Sequence, residues 1–339
     1  MRVEPYVLRV KPYALLLSAL LLLLGLAPGA GAAENGEWAV YPAAARPGSR
    51  PYFFLTVDPG ATVTDRVTVT NRTDGPLTFR LYGADAYNTD RDGGFAVRTR
   101  QERQTGAGAW ITPEQTRITV PPRSAVTVPY TLTVPADADP GDHPGALVAL
   151  DERIGPAAGS AVAVGVQRAV AARVYLRVTG PTVPALAVED ITLDQDRPLV
   201  PGTRESSALV SYTLHNRGNV TLSPQVALRA EGLFGRTLLA RGLTGVPAEL
   251  LPRQKIRLTA RWTGSPQFDR GDVTLTATAK DVRETGTVSF LAVPWTALLT
   301  LLAAGAATVL GLRLRRRRTA RRDPRTDPVG EAPVPASAH

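Results

Sequence analysis

The sequence predicts an all-β protein with two immunoglobulin-like β-sandwich domains in tandem, followed by one C-terminal transmembrane helix. Runs of about ten residues alternate apolar and polar side chains between Gly, Pro, Asn and Asp turns, which is typical of strands with one buried face. A later uncharged stretch, residues 290–312, is long enough to cross a bilayer as a helix. These two patterns define the predicted architecture.

The alternation is clearest in two stretches of the first predicted domain. In residues 62–71, Val63, Val67 and Val69 face one way and the other face is mostly Thr, and residues 125–134 repeat this pattern. Later runs near Val210, Ile256 and Val273 do the same. Strands of this kind, apolar on one face and polar on the other, indicate packed antiparallel sheets.

Turn-forming residues separate strands in the same way at two places. Asn71 opens one turn and Asn216 opens an equivalent turn 145 residues later, each between two apolar strands. The repetition predicts two related sandwich domains, residues 34–180 and 181–289. The Pro-rich step over residues 180–184 is the expected boundary between them.

The N-terminus has the order of a secretory signal peptide. Basic residues come first, an apolar run follows over residues 13–26, and small residues at Ala30 and Ala32 complete the pattern. We therefore predict a signal peptide over residues 1–33. The alternative, an uncleaved anchor, would need about 20 apolar residues, and this run is shorter.

The C-terminal stretch has the flanks of a membrane span. Trp295 lies where an interfacial aromatic residue belongs, and the residues after position 312 are strongly basic. The residues that orient the span are therefore Trp295, Arg313, Arg315, Arg316, Arg317 and Arg318. The positive-inside rule predicts a cytoplasmic tail, residues 313–339, and extracellular domains on a cell membrane crossed once.

The distribution of charge argues against nucleic acid as a partner. The chain has a formal net charge of +9, but the tail carries +5 of it and the predicted signal peptide +2. The remaining exported part is close to neutral and has no electrostatic footprint for phosphate binding. The chain has no cysteine, so its domains have neither disulfides nor a thiolate metal site.

The predicted first domain resembles the WxL-interacting cell-surface protein family over about residues 38–179. The order of its landmarks carries the resemblance. These are Phe53-Phe-Leu-Thr-Val-Asp-Pro-Gly60, the Asn71 turn, Asp85-Ala-Tyr-Asn-Thr-Asp-Arg-Asp-Gly-Gly94, Ile118-Thr-Val-Pro-Pro122 and residues 134–150. Members share the layout predicted here: a signal peptide, two sandwich domains, one helix and a basic tail.

The resemblance implies a non-enzymatic protein anchored at a Gram-positive-type cell surface. It implies that the first domain contacts peptidoglycan or another cell-wall glycan, and that the second contacts a surface protein or another surface. The alternative is a structural or assembly accessory for exported proteins that binds no glycan.

Three aromatic residues are candidates for a glycan platform, because glycans bind to aromatic faces. Tyr82, Tyr87 and Trp110 lie in or beside residues 85–116. Tyr82 continues a strand on the face opposite its apolar residues. Trp110, which precedes Ile111, fits core packing equally well.

Asn88, Asp90 and Asp92 have the alternate-residue oxygens of a calcium loop and are followed by Gly93. The twelfth position from Asn88 is Thr99, where a bidentate Glu is required. We therefore expect a hairpin turn here, with calcium binding as the alternative.

The histidines do not support catalysis. His143 lies in a Pro/Gly turn, His215 ends a strand, and His339 is the last residue. The sequence contains neither a Gly-x-Ser-x-Gly elbow nor a His-x-x-Glu-His motif. We expect no enzyme activity and no cofactor, with a cell-wall hydrolase or its accessory as the alternative.

Overall fold

The fold is described from a computed structural model, which describes residues 33–43, 50–156, 165–293 and 295–320. The predicted signal peptide, except for Ala33, and the tail after Ala320 lie outside these residues. Within them the chain forms two β-sandwiches and one long C-terminal helix. The predicted all-β class is confirmed.

The first sandwich consists of β1 to β11 and a short helix, α1. Their bounds are β1 (Ala33–Glu34), β2 (Trp38–Pro42), β3 (Phe53–Val57), β4 (Thr62–Asn71), β5 (Leu77–Asn88), β6 (Phe95–Val97), α1 (Ala107–Trp110), β7 (Ile111–Pro113), β8 (Arg117–Val120), β9 (Ala125–Thr133), β10 (Gly141–Pro156) and β11 (Gly165–Val178). One sheet has the order β1-β2-β4-β9-β7, and the other has the order β3-β11-β10-β5-β6 with β8 also on β5. The edge strand β3 runs parallel to β11.

The alternating residues of these strands form the first core. Val67 and Val69 of β4 and Phe79 of β5 are fully buried in it. The Trp38 and Phe79 rings, from opposite sheets, lie 5.4 Å apart between centroids. Period-2 burial therefore places every second side chain of β5 and β11 on an outer face, which positions the candidate site.

The second sandwich consists of β12 to β18. Their bounds are β12 (Leu186–Asp196), β13 (Ser207–Asn216), β14 (Gln225–Glu231), β15 (Thr237–Gly242), β16 (Lys255–Thr263), β17 (Asp269–Ala279) and β18 (Val282–Ala292), with a 3₁₀ turn at Leu233–Gly235. One sheet has the order β12-β13-β16 and the other has the order β15-β14-β17-β18. Tyr212, Leu214 and Leu275 lie in the core between them.

The long helix α2 (Trp295–Ala320) begins and ends later than predicted. Residues 290–292 belong to β18, because their alternation continues the strand: Phe290 is buried 5.8 Å from the Trp262 ring and Ala292 is also buried. One helix in the described residues is long and apolar enough to cross a membrane. Its stretch Leu298–Arg317 has a mean hydropathy of 1.5, and none of it is buried against the other described residues.

Each sandwich contains a buried asparagine where a core strand ends. The Asn71 amide donates to the carbonyls of Gly75, Val120 and Pro121, and its oxygen accepts from the Thr73 backbone N–H. These bonds satisfy backbone groups that the ladder leaves unpaired at the turn.

Asn216 has the equivalent role in the second sandwich and is fully buried. Its amide donates to the carbonyls of Val220 and Leu250, and its oxygen accepts from the Gly218 N–H over 3.0 Å. The two predicted Asn turns therefore share one physical basis, a buried amide that bonds the turn and a neighbouring segment.

Substituting Asn216→Ala should lower the free energy of unfolding by about 2–4 kcal/mol, because three backbone groups each lose a hydrogen bond to the buried amide. Hydrogen exchange followed by mass spectrometry should show faster exchange in β13 and β16 while the first sandwich is unchanged. Gln225→Ala, which removes an exposed amide from β14, is the control. Equal exchange in both variants would contradict this role.

Candidate functional site

The outer face of the β3-β11-β10-β5-β6 sheet carries an aromatic cluster that we call the aromatic face. It consists of Tyr52, Phe54, Phe95, Arg173 and Tyr175. On β3 and β11 the adjacent residues Phe53 and Val174 are buried in the core. Alternation therefore directs Phe54, Arg173 and Tyr175 away from the core.

The rings of the aromatic face are in mutual contact. Phe54 and Tyr175 are directly paired in the parallel β3–β11 ladder, and their rings stack with centroids 5.2 Å apart and planes 10° from parallel. The Tyr52 ring lies edge-on to Tyr175 at 5.7 Å, and Phe95 lies 6.4 Å from Tyr175. The Phe54 side chain is 65% exposed, so an aromatic surface remains open to solvent.

The Arg173 guanidinium and the Glu249 carboxylate contact the aromatic side chains of this cluster and fix their positions. The Arg173 guanidinium lies 4.2 Å from the Phe95 ring centroid and 5.6 Å from that of Tyr52. The Tyr175 hydroxyl donates to Glu249 Oε1 over 2.8 Å. Burial of the ring and, secondarily, the Glu249 carboxylate raise the pKa of Tyr175 to about 12. The hydroxyl therefore keeps its proton at neutral pH and acts as the donor.

A groove of about 370 Å³ lies beside the stacked pair. Its polar wall contains Arg177, whose Nε donates to Asp142 Oδ1 over 2.6 Å, and Thr221, whose backbone N–H donates to Asp142 Oδ2 over 2.7 Å. Phe54 and Tyr175 form the apolar wall. The groove thus combines ring faces with planar charged groups, the combination that binds a polar ligand with apolar faces such as a sugar.

Asn88 joins the first sandwich to the second and fixes the position of Glu249. It is buried, and its amide donates to the carbonyls of Gly93, in its own turn, and Glu249, in the second sandwich. Its oxygen accepts from the Leu251 N–H over 2.8 Å. The backbone of residues 249–251 is therefore held against the first sandwich, and Glu249 is held beside Tyr175.

A second set of contacts closes the same junction. Gly141 has a φ of +120°, and a Cβ there would lie 2.2 Å from the Asn219 carbonyl oxygen, so only glycine allows this approach. Asp142 donates its N–H to that carbonyl over 2.7 Å, and the Asn219 amide donates to Pro140 over 2.8 Å. An ion pair between Arg253 and Asp139 adds to the junction.

The three predicted platform residues do not form one surface. Tyr82 lies on the same outer face as the aromatic face, but it packs on a small apolar cluster that includes Ala84 and Val148, and burial raises its pKa. The Arg98 guanidinium lies over the Tyr87 ring, 5.9 Å from the ring centroid. Trp110 packs partly against the first core, with its ring 4.8 Å from that of His143. Among the described residues, no ring contact joins these three to one another.

The predicted calcium-loop residues have other partners in the structure. Asn88 uses its amide and oxygen at the junction, and Asp92 Oδ1 accepts from the Thr89 hydroxyl and the Gly94 N–H. Asp90 is exposed. In the part of the chain that the structure describes, no group of three His, Asp or Glu side chains is arranged to hold a metal ion. The segment forms the turn between β5 and β6.

The residues predicted to orient the membrane span all lie on α2. Trp295 is its first residue and is 60% exposed. The basic residues occupy its last turns, with Arg313, Arg315, Arg316 and Arg317 exposed and Arg318 following them. From Trp295 to Arg313 the helix rises about 27 Å, close to the thickness of a hydrocarbon core.

The aromatic face was not predicted from the sequence. Phe54 appears in the sequence as one of three consecutive apolar residues, and Tyr175 lies in a long apolar run with interspersed arginines. Only the parallel pairing of β3 with β11 brings them together across more than a hundred residues. The sequence pattern that indicates this surface is the strict alternation in β11. It places Arg173, Tyr175 and Arg177 on the face opposite the core residues.

No family model and no curated protein matches this chain. Similar solved structures include the class 5 fimbriae chaperone CfaA, 10% identical with a TM-score of 0.33, covering 76% of this chain and 99% of that one. The Pseudomonas aeruginosa CupB2 chaperone is 10% identical with a TM-score of 0.28, covering 72% and 99%. The CsuC–CsuE chaperone-tip adhesion subunit complex of Acinetobacter baumannii is 9% identical with a TM-score of 0.35, covering 74% and 97%. TM-scores of this size carry no conclusion about function.

Substituting Asn88→Ala should loosen the junction, because Glu249 and Leu251 lose their backbone partner in the first sandwich. Since the chain has no native cysteine, spin labels at Ile154→Cys and Leu209→Cys would report the distance between the sandwiches. We expect a broader distance distribution in this variant. Asp90→Ala, in the same turn, is the control and should leave the distribution narrow. An unchanged distribution in both variants would contradict the role of Asn88.

Proposed function

We propose that this chain is a non-enzymatic, single-pass membrane protein of the cell surface whose first sandwich binds cell-wall glycan. The aromatic face is the observation that carries this proposal. It offers a stacked ring pair, of which Phe54 is solvent-exposed, beside a groove with an Arg–Asp pair. Aromatic faces next to planar polar groups suit sugar rings, which have apolar faces and hydroxyl edges.

The resemblance to WxL-interacting cell-surface proteins supports peptidoglycan as that glycan. In those proteins the corresponding N-terminal domain is the peptidoglycan-binding one. The predicted signal peptide and the apolar helix α2 would keep both sandwiches outside the cell and within reach of the wall. The basic residues at the end of α2, from Arg313 onward, support a cytoplasmic tail.

Binding of a surface protein is the second candidate function. The strand β3 lies at the edge of its sheet among the described residues, and an edge strand can pair with a strand from a partner. Phe54 would then contribute to a protein interface instead of a glycan site. Both functions use the same part of the first sandwich, and a binding assay separates them.

The full-length chain in detergent should sediment with purified peptidoglycan. Phe54→Ala should weaken this binding about tenfold, because the loss of a central aromatic anchor costs on the order of 1.4 kcal/mol. Ile154→Ala removes an apolar side chain of similar exposure, 71%, from the same sandwich and should bind like the unmodified protein.

Two results would contradict the glycan site. Equal sedimentation of the Phe54→Ala and Ile154→Ala variants would show that the aromatic face is not the binding surface. If the unmodified chain stays in the supernatant while a surface protein copurifies with it from membranes, the protein-partner function replaces the glycan function.

A further inference from the structure

The end of the second sandwich nearest α2 carries a group of exposed apolar side chains, which we call the apolar rim. It comprises Leu199, Val200, Phe234, Phe268 and Leu291. Leu199 is 78% exposed, Phe268 is 74% exposed and Phe234 is fully exposed. Exposed large apolar residues concentrated at one end of a domain mark a contact surface.

The strand register and the hydrogen bonds at this end place the rim level with the start of α2. Asp269 pairs with Ala292, the last residue of β18, so Phe268 lies at the point where the chain leaves the sandwich. The Thr296 hydroxyl, in the first turn of α2, donates to the Leu199 carbonyl. Trp295 and Leu199 border a common cavity of about 250 Å³.

The turn that carries Phe234 is held rigidly at the same end. The buried Asp269 carboxylate accepts from the Leu233 N–H over 3.0 Å and from Arg236 over 2.9 Å. Phe234 has a φ of +60°, a left-handed conformation that is strained for a bulky residue. The bonds to Asp269 therefore hold this turn in place, and the Phe234 side chain points outward, fully exposed among the described residues.

We propose that the apolar rim inserts into the outer leaflet of the membrane that α2 enters. The inference rests on the proposed membrane span. Because only two residues separate the end of β18 from the start of α2, the headgroup region must lie next to the end of the sandwich. Phe234, Phe268 and Trp295 then lie at the depth where aromatic side chains are favoured.

The contact depends on apolar insertion more than on charge. Arg236 is paired with Asp269 and Arg204 with Asp196, so these cations are partly neutralised by partners at the same end of the sandwich. The apolar side chains of the rim would therefore contact zwitterionic lipid without a requirement for anionic headgroups. Together with α2 it would give the sandwich two points of attachment and fix its orientation to the membrane.

Single-cysteine variants of the full-length chain in phosphatidylcholine nanodiscs would test this. An environment-sensitive fluorophore would be attached at Leu199→Cys, Phe234→Cys or Phe268→Cys, each of which is the only thiol in the chain. Val183→Cys, 56% exposed beside the junction of the sandwiches, is the aqueous control. Leu302→Cys, within α2, reports the span itself.

We expect lipid-borne nitroxide to quench the rim labels about twofold or more relative to the Val183→Cys label, and iodide to quench them less. If the rim labels behave like the Val183→Cys label while lipid quenches the Leu302→Cys label, the rim contact is overturned. The membrane span through α2 is then still supported. A Leu302→Cys label that lipid does not quench would overturn both the anchor and the rim contact.

Discussion

The rest of the candidate site depends on the buried Asn88 amide. Its bonds to the backbone of Glu249 and Leu251 bring the second sandwich against the first. Only in this position can the Glu249 carboxylate accept from the Tyr175 hydroxyl and lie 3.6 Å from Arg173. A buried amide without partners costs free energy, so its three bonds hold the junction in a defined position.

The same junction also completes the groove. Thr221, from the second sandwich, bonds Asp142, and Asp142 in turn holds Arg177. The aromatic wall of the groove comes from the first sandwich and part of the polar wall comes from the second. A first sandwich without the second would therefore retain Phe54 and Asp142 but would lack Glu249, which accepts from Tyr175, and Thr221, which bonds Asp142.

Local patterns in the sequence predicted much of the fold. Alternation in residues 62–71 and 125–134 matched strands β4 and β9 within a residue, because one face of each strand is buried. Asn71 and Asn216 were recognised as turn residues, although their bonds to distant carbonyls, such as that of Leu250, were not foreseeable. The start of α2 was predicted five residues too early, since apolar composition alone does not distinguish the end of a buried strand from the beginning of a span.

The candidate site was predicted less well because its parts are distant in sequence. Tyr82 was placed on the correct outer face, but it covers a small apolar cluster. Asn88 was considered as a metal ligand, and local spacing carried no information about its partners across the junction. The stacked pair of Phe54 and Tyr175 depends on a parallel pairing between an edge strand and a strand that follows much later, and such pairings leave no local pattern.

Fluorine NMR of the full-length chain labelled with 4-fluorophenylalanine would test the central claim most directly. The chain has seven phenylalanines, so each resonance can be assigned by single substitution. On addition of soluble peptidoglycan fragments, the account predicts saturable shifts for Phe54 and Phe95, with Phe234 and Phe268 unchanged. Fragments that bind while Phe54 and Phe95 do not shift would contradict the aromatic face as the glycan site.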